Sequence, residues 1–503
     1  LPRSAGARFT RMACFAGVCN GRGPQPRTET IRPAGCEVES AGNAPQVRLL
    51  LAETMFSKTP LSAASFPALA FRLARCNASV LKDSLAVALA AHPMLAGRLH
   101  DREVALTNDG VPFTTCDGTG DSAPQDFEEG LLFQFADFRK PRRVMKGLEP
   151  LLTVKLTRYK DGSAVLAMCR SHGLLDGTSA WNFLADWTAA ARGQAPKERT
   201  SADRAAVERL LPDGMRIDEL AMELFGKAPK KSWMEFAMKY ATPPIATIWD
   251  GLFLSGLAFP NRPRLFFSDE EVSRIKTAAT PAPGSAGDGW VSTQEALSAY
   301  ILLTVCQAVL PTSSKGRALL VLLLDPRKAL GLPATTCMGC GLTILGLRVT
   351  GILEMTLAEV ANTIHEAAVS HTSPEVVRKR WELFAGLGEK EMPFEAMQDL
   401  MKLRMQSDLT LQLNNQSKRR LPDFGAEGSG GKAQAVLTNA GPTLILPAQG
   451  GIDIFFCTSF LGSASGSRAV KALEALRSQI PEGAGPTLLC SKSGTEDSKS
   501  NCR

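Results

Sequence analysis

Apolar positions along the chain follow two periods, and the changes between them mark the elements. In residues 80–90, Leu81, Leu85, Ala88 and Leu89 recur at helical spacing, which predicts an amphipathic helix. Asn77 or Ser79 suits its N-cap, and Pro93 ends it. Residues 104–106, 111–113 and 151–156 predict strands, Tyr159-Lys160-Asp161-Gly162 a turn, and residues 164–169 a short apolar strand. The Gly-bounded turn His172-Gly173-Leu174-Leu175-Asp176-Gly177 follows. Thr178 or Ser179 is placed to cap the next helix, whose apolar face carries Trp181, Leu184, Trp187 and Ala191 and which closes at Gly193.

Residues 194–262 are richer in Pro and charge, hold long helical patterns, and read as a crossover. Residues 281–289 (PAPGSAGDG) predict a flexible insertion. Beyond it, the pattern predicts helices over 292–309 and 357–369, a buried strand over 319–324 and a late strand over 453–458. Helices and strands interleave in both halves, so the fold class is mixed α/β, without a short-period repeat. The expected layout is an unstructured, targeting or leader segment at 1–44, an N-terminal domain at 45–193, the crossover at 194–262, a C-terminal domain at 263–480 and a polar, disordered tail at 481–503.

Composition narrows the classes. Of 503 residues, 44% are hydrophobic and 21% charged, which is the ordinary globular range and allows a sizeable core. Aromatic residues make up 6%, with three Tyr, too few for a platform that stacks single-stranded bases. The net charge of +7 is mild over this length, and the cluster Lys227, Lys230 and Lys231 reads as a solvated loop, so no nucleic-acid partner is expected. Twelve Cys are scattered, and Cys337–Cys340 is the single CxxC, with no second pair at zinc spacing. That predicts reduced thiols in a reducing compartment. No apolar run nears the roughly 18 residues of a bilayer span, so the expectation is a cytoplasmic protein without a membrane span. Residues 1–28 hold Arg3, Arg8, Arg11, Arg22 and Arg27 and no acid. A plastid-type transit remnant and a leader read through before Met12 both fit, and the stretch is set outside the fold.

Five His residues invite scrutiny, because imidazole moves protons in both directions near neutral pH. His92 lies at a helix end beside Pro93, where capping or packing suits it, and His100 is expected at the surface. His365 and His371 are six residues apart, about 600° of helical rotation, so they do not face one metal ion. No metal site is expected. His172 stands where an apolar strand runs out into a cleft, four residues before Asp176, which is placed to hold the turn and pair with an Arg. A lone His in a turn is more often structural than catalytic, so the turn alone leaves both roles open. Gly425–Lys432 (GAEGSGGK) is no phosphate loop, because Ala426 and Ala433 occupy the positions that need Gly and Ser or Thr.

Several segments then align in order. HGLLDG at 172–177 resembles the HxxxDG signature of the BAHD acyltransferases, within the superfamily of coenzyme A-dependent acyltransferases. LKDSLAVALAAHPMLAGRL at 81–99 is similar to the family's first helix and its ending. DGTSAWNFLADWTAAARG at 176–193 resembles the stretch after the catalytic His, and STQEALSAYI at 292–301 the opening helix of the second half. LLDPRKAL at 323–330, with Met338-Gly339, is similar to the D-x-R segment and its following Gly. LPDFG at 421–425 resembles the start of the DFGWG hallmark, and QGGIDIFF at 449–456 the terminal strand. The resemblance covers about residues 45–480. It departs at Ala426 and Glu427, where the family has Trp-Gly, and at Cys340, where Asn is usual.

The resemblance implies two similar mixed α/β domains of the chloramphenicol acetyltransferase-like kind, with a channel between them. It implies transfer of an acyl group from acyl-coenzyme A, as cosubstrate rather than resident cofactor, to a small-molecule alcohol or amine in secondary metabolism. His172 would be the general base, Asp176 its loop-orienting partner, and Asn414 and Asn415 donors to the oxyanion. Lys276, Ser292 and Arg327 would contact coenzyme A. Gly177, Asp423, Phe424 and Gly425 would be structural, with Arg327 as the partner of Asp423. The family is mostly monomeric. Two alternatives stay open: a condensation-type enzyme with a carrier-bound donor, although Ser171 replaces the first His of HHxxxDG, and a non-catalytic relative that binds an acyl ligand or a partner protein.

Overall fold

A computed structural model of the chain describes residues 25–49, 53, 66–100, 103–125, 132–196, 200–210, 263–281, 290–337, 339, 343–371, 373–378, 403, 406–425, 433–438, 443–456 and 463–477. Among them the strands form two six-stranded sheets and one of three strands. The first runs β1 (Arg27–Ile31), β6 (Val111–Asp117), β7 (Leu152–Arg158), β8 (Ala164–Arg170), β3 (Ala68–Leu73), β13 (Ala433–Thr438). The second runs β11 (Thr343–Val349), β10 (Ala318–Leu324), β12 (Leu409–Asn415), β14 (Thr443–Ala448), β15 (Gly451–Phe455), β9 (Arg264–Ser268). The third joins β2 (Gln46–Arg48), β5 (Glu103–Ala105) and β4 (Arg98–His100). The longer helices are α1 (Ala78–Ala91), α2 (Gly177–Ala191), α3 (Thr200–Glu208), α4 (Asp269–Ala279), α5 (Thr293–Val309), α6 (Leu357–His371) and α7 (Ser463–Arg477).

The sequence explains which strands are central. Every residue of β8 is buried, as expected of a strand covered on both faces. β10 (ALLVLLL) pairs in parallel with β12, and β12 in parallel with β14. β10, paired on both sides, carries the unbroken apolar run of a strand packed on both faces, whereas β12 (LTLQLNN) alternates buried and half-buried positions. α5 is buried from Ala296 to Cys306, which is why it reads as apolar all round. In the first half α1 packs on α2. The fully buried Trp187 of α2 donates its indole N–H to Leu81 O at 3.1 Å and Ser84 Oγ at 3.0 Å on α1.

The structure revises several expectations. Residues 1–44 are expected outside the fold, yet β1 lies at the edge of the first sheet, in register with β6 from Arg27–Thr115 to Ile31–Val111. Its RTETI sequence has little to bury, and backbone hydrogen bonds hold it there. The expected division of the chain also leaks. β13 belongs by sequence to the second half but pairs antiparallel with β3 of the first sheet. Asn77, not Ser79, caps α1. Asp176, not Thr178 or Ser179, caps α2. The readings at Lys227, Lys230, Lys231, Met338, Cys340 and residues 282–289, 426–432 and 481–503 lie outside the described residues, as does most of the crossover.

Candidate active site

The carboxyl ends of β8, β10 and β12 open onto one cavity of about 370 Å3. Carboxyl ends of strands are where α/β sheets present ligands. His172 and Asp176 to Thr178 come from the turn after β8, and Leu323 to Asp325 from the end of β10. Asn414 to Gln416, Lys418 and Arg419 follow the end of β12, and Gln294 comes from the first turn of α5. The fold therefore brings His172, Asp176, Gly177, Asn414 and Asn415 together from both halves of the chain.

The turn that carries His172 winds around one carbonyl. Ser171 O accepts the N–H groups of Leu174 at 3.2 Å and Leu175 at 3.1 Å, while Ser171 N–H donates to Leu151 O at 2.8 Å. Leu174 and Leu175 are buried and anchor the turn. His172 lines the cavity and is partly buried, with its Nδ1 inside. Burial, and next the positive charge of Arg170, hold its pKa well below the ordinary imidazole value, and Asp176 opposes this in part. The imidazole is therefore neutral at pH 7, the form that accepts a proton. Arg170 is itself inside. Its Nη1 donates to Pro67 O at 3.3 Å, and burial brings its pKa down to about 10.

Asp176 is engaged in structure. Its Oδ1 accepts Ser179 N–H at 2.7 Å as the cap of α2, and both its oxygens accept from Nη2 of Arg327 at 3.1 Å. Arg327 is 1% exposed and also donates to Asp325 Oδ1 at 2.9 Å, Ser179 Oγ at 2.9 Å and Thr336 O at 2.8 Å. The expected Asp423–Arg327 pair is thus replaced by Asp176–Arg327, because Arg327 reaches the cap of α2 first. The placement of Arg327 among coenzyme A contacts changes as well, since its guanidinium is enclosed by protein. Asp423 Oδ1 accepts the N–H of Gly425 at 3.0 Å, and its carbonyl accepts from Arg192. Gly425 has φ of 100°, in the region that favours glycine. Phe424 is fully buried edge-on to Trp187, ring centres 5.2 Å apart, so it pins this segment to α2.

Eight further residues line the cavity that the sequence did not mark as site residues: Thr178, Gln294, Leu323 to Asp325, Gln416, Lys418 and Arg419. Trp181 Nε1 donates to Gln416 Oε1 at 2.7 Å, and Gln416 Nε2 donates to Asn414 Oδ1 at 3.3 Å, which ties α2 to the end of β12. A Cβ on Gly177 would lie 2.9 Å from Gln416 Nε2, so the glycine makes room for this crossing. Asn415 Oδ1 accepts Ser417 N–H at 2.9 Å. Thr178 Oγ1 donates to Asp325 Oδ2 at 2.6 Å and accepts from Arg419 Nη2 at 2.6 Å. Asp325, two residues before Arg327, and Gln294, in STQEALSAYI, lay inside segments of the resemblance, whereas Gln416, Lys418 and Arg419 had no signal.

Ser292 and Lys276 do not line the cavity. Ser292 caps α5 in a reciprocal box with Glu295, its Oγ accepting Glu295 N–H at 3.2 Å. Ser292→Ala is expected to cost about 1 kcal/mol, read as a shift of the urea midpoint at constant slope. Lys276 lies in the last turn of α4, where a cation complements the helix dipole. His92 and His365 are packed, and His100 is exposed. His92 Nε2 meets Asp186 Oδ2 at 2.9 Å in the interior. His365 Nδ1 meets Glu295 Oε1 at 3.2 Å. Among the described residues no three His, Cys, Asp or Glu side chains converge as a metal site would need, and no helix is long and apolar enough to cross a membrane.

Comparison with known proteins gives the same direction. The model of the Transferase family matches residues 71–378. Rosmarinate synthase of Plectranthus scutellarioides is 29% identical over 245 residues, 46% of this chain and 50% of that protein. The match thus spans about half of that relative's length. Vinorine synthase has a similar fold with a TM-score of 0.58 at 16% identity, over 90% of this chain and 98% of that one. TRI101 of F. graminearum, solved with coenzyme A and T-2 mycotoxin, gives a TM-score of 0.58 at 16% identity, over 86% of this chain and 97% of that one. Both share the mixed α/β architecture described above.

Proposed function

Because the chain belongs to the Transferase family, that of the BAHD acyltransferases, we propose that it transfers an acyl group from acyl-coenzyme A to the hydroxyl or amine of a small molecule, with His172 as general base. The observation that supports this best is the neutral, partly buried His172 lining a cavity built from both halves of the chain. An alcohol is a poor nucleophile at pH 7. In this reading its proton passes to His172 as its oxygen attacks the thioester carbonyl. The tetrahedral oxyanion takes hydrogen bonds from the side-chain amides of Asn414 and Asn415, which line the same cavity. Collapse expels the thiolate of coenzyme A, and the imidazolium of His172 returns the proton to it. No covalent enzyme intermediate and no resident cofactor takes part.

Asp176 acts by orientation in this scheme, since Arg327 and the cap of α2 occupy its oxygens. The start of α5 faces the cavity through Gln294, so the donor's anionic portion enters near Ser292, where a helix N-terminus favours negative charge. Lys276 is the second contact assigned to that end. The two halves, 45–193 and 263–480, supply opposite walls, and the protein acts as a monomer in the cytoplasm. A carrier-bound donor is not favoured, because the buried Ser171 stands where condensation-type enzymes have a further His.

Free thiol release by the purified full chain, over a panel of acyl-coenzyme A donors with pooled alcohols and amines, tests the reading. Release that depends on the acceptor is the expected result. A folded protein that is silent over the panel overturns it and moves the weight to a ligand-binding relative.

A further inference from the structure

A second group of residues grips the His172 turn away from the catalytic cavity. Glu53, before β3, has a side chain 2% exposed. Its two oxygens accept from Nη1 and Nη2 of Arg204 on α3, each at 3.0 Å, the two-pronged geometry that fixes position as well as charge. Oε1 of Glu53 also accepts the backbone N–H of Gly339 at 3.1 Å. A Cβ on Gly339 would lie 1.9 Å from Gly173 O and 2.6 Å from Cγ of Glu53. The backbone at Gly339 therefore rests on the carbonyl of the residue next to His172, with the Glu53 carboxylate wedged against it. Beside this contact Asp203, also on α3, accepts the N–H of Cys337 at 2.6 Å. Leu174 and Leu175 of the turn line a small void with Asp203, Arg204, Cys337 and Gly339.

These contacts close a frame. Residues 325–339 are tied to Asp176 at one end through Arg327, whose Nε donates to Thr336 O, and to Gly173 at the other through Gly339. Both ends of the turn thus press on one strip of the second half. At the Gly339 end the Glu53 side chain, backed by Arg204, holds Gly339 itself and Asp203 holds Cys337 beside it, and none of the three lines the catalytic cavity. A buried ion pair is a poor source of net stability, since desolvation offsets its attraction, but breaking one partner leaves a charge stranded. An interior pair at the junction of three chain segments is better suited to fixing register than to adding stability.

We propose that the Glu53–Arg204 pair is a positioning device for His172: it clamps Gly339 onto Gly173 and so sets where the imidazole stands in the cavity. The inference rests on the reading of His172 as general base. Misplacement of a catalytic group by about 1 Å can cost about a hundredfold in rate, so a rigid back wall has chemical value.

Amide hydrogen exchange on the full chain tests the clamp without substrate, and thiol release measures its effect on catalysis. In Glu53→Gln and Arg204→Met, the amides of 171–177 are expected to exchange about tenfold faster while β7 and β8 keep their rates. kcat should fall about tenfold or more with both KM values held within about threefold, as for a group felt in the transition state. Arg204→Lys keeps the charge with one prong and should fall between, which also provides a folded comparator. Unchanged exchange at 171–177, or exchange raised equally across both sheets, overturns the proposal, as does a rate loss carried by KM. Wild-type protein that releases no thiol overturns the acyl-transfer reading instead, and exchange still decides the clamp.

Discussion

His172→Ala is expected to lower acceptor-dependent thiol release by about 10²- to 10⁴-fold, the usual contribution of a positioned general base, while the protein stays folded. The fold tolerates loss of this imidazole on electrostatic grounds. Burial and the charge of Arg170 push the imidazole pKa below its unfolded value. As pH falls through the unfolded value, about 6.5, the unfolded chain binds a proton that the native state refuses. His172 therefore withdraws stability at acid pH, and alanine removes that loss. The same depressed pKa places the acid limb of the kcat/KM profile below the ordinary imidazole value. Initial rates measured from acid to neutral pH check this. An alanine variant with full activity, or an acid limb above about 6.5, would sink the assignment of the base.

Arg327→Met should be the most damaging change to stability, about 3–5 kcal/mol, because it strands charge in the interior. Arg327 meets Asp176 and Asp325 together, and Asp176 has almost no access to water. Methionine fills much of the volume but takes the directly bonded guanidinium from the Asp176 carboxylate, leaving it the weaker influence of Arg170 and Arg419. Asp176→Asn in the same background should recover part of the loss, since the stranded charge is gone. Residues this close do not add independently, and the coupling measures the pair. Urea unfolding of the single and double variants gives the numbers. A single-variant loss under about 1 kcal/mol, against that expectation for an uncompensated buried charge, would mean that water or another cation reaches Asp176.

Much of this architecture was legible in the sequence, and the exceptions share a cause. α1, α2 and α5 announced themselves because each has a one-sided or fully apolar pattern with a capping residue before it. β8 and β10 did so by unbroken apolar runs. β1 did not, because an edge strand of RTETI is held by backbone groups that every residue carries. In the site, the turn singled out His172 and Asp176 and left their roles open, and the family resemblance supplied those roles together with Asn414 and Asn415. Gln416 and Arg419 were hidden, since they matter only through contacts with Trp181 and Thr178 that lie far away in the chain. The Arg327 partner was misassigned for the same reason. Two acids, Asp176 and Asp423, lay within plausible reach by motif, and only the packing of α2 decides between them.

The seating of β13 beside β3 has a consequence for how the chain is made. On the ribosome, β3 emerges early and β13 much later, with α4, α5 and α6 of the second half between them. Until residues 433–438 are synthesised, the ALAFRL strand shows a bare row of backbone donors and acceptors on one side. Its residues are nearly all apolar, the kind of open rim that recruits other chains. A translation product stopped before that point keeps the His172 turn yet carries an adhesive border, so the late strand works as a built-in seal against self-association.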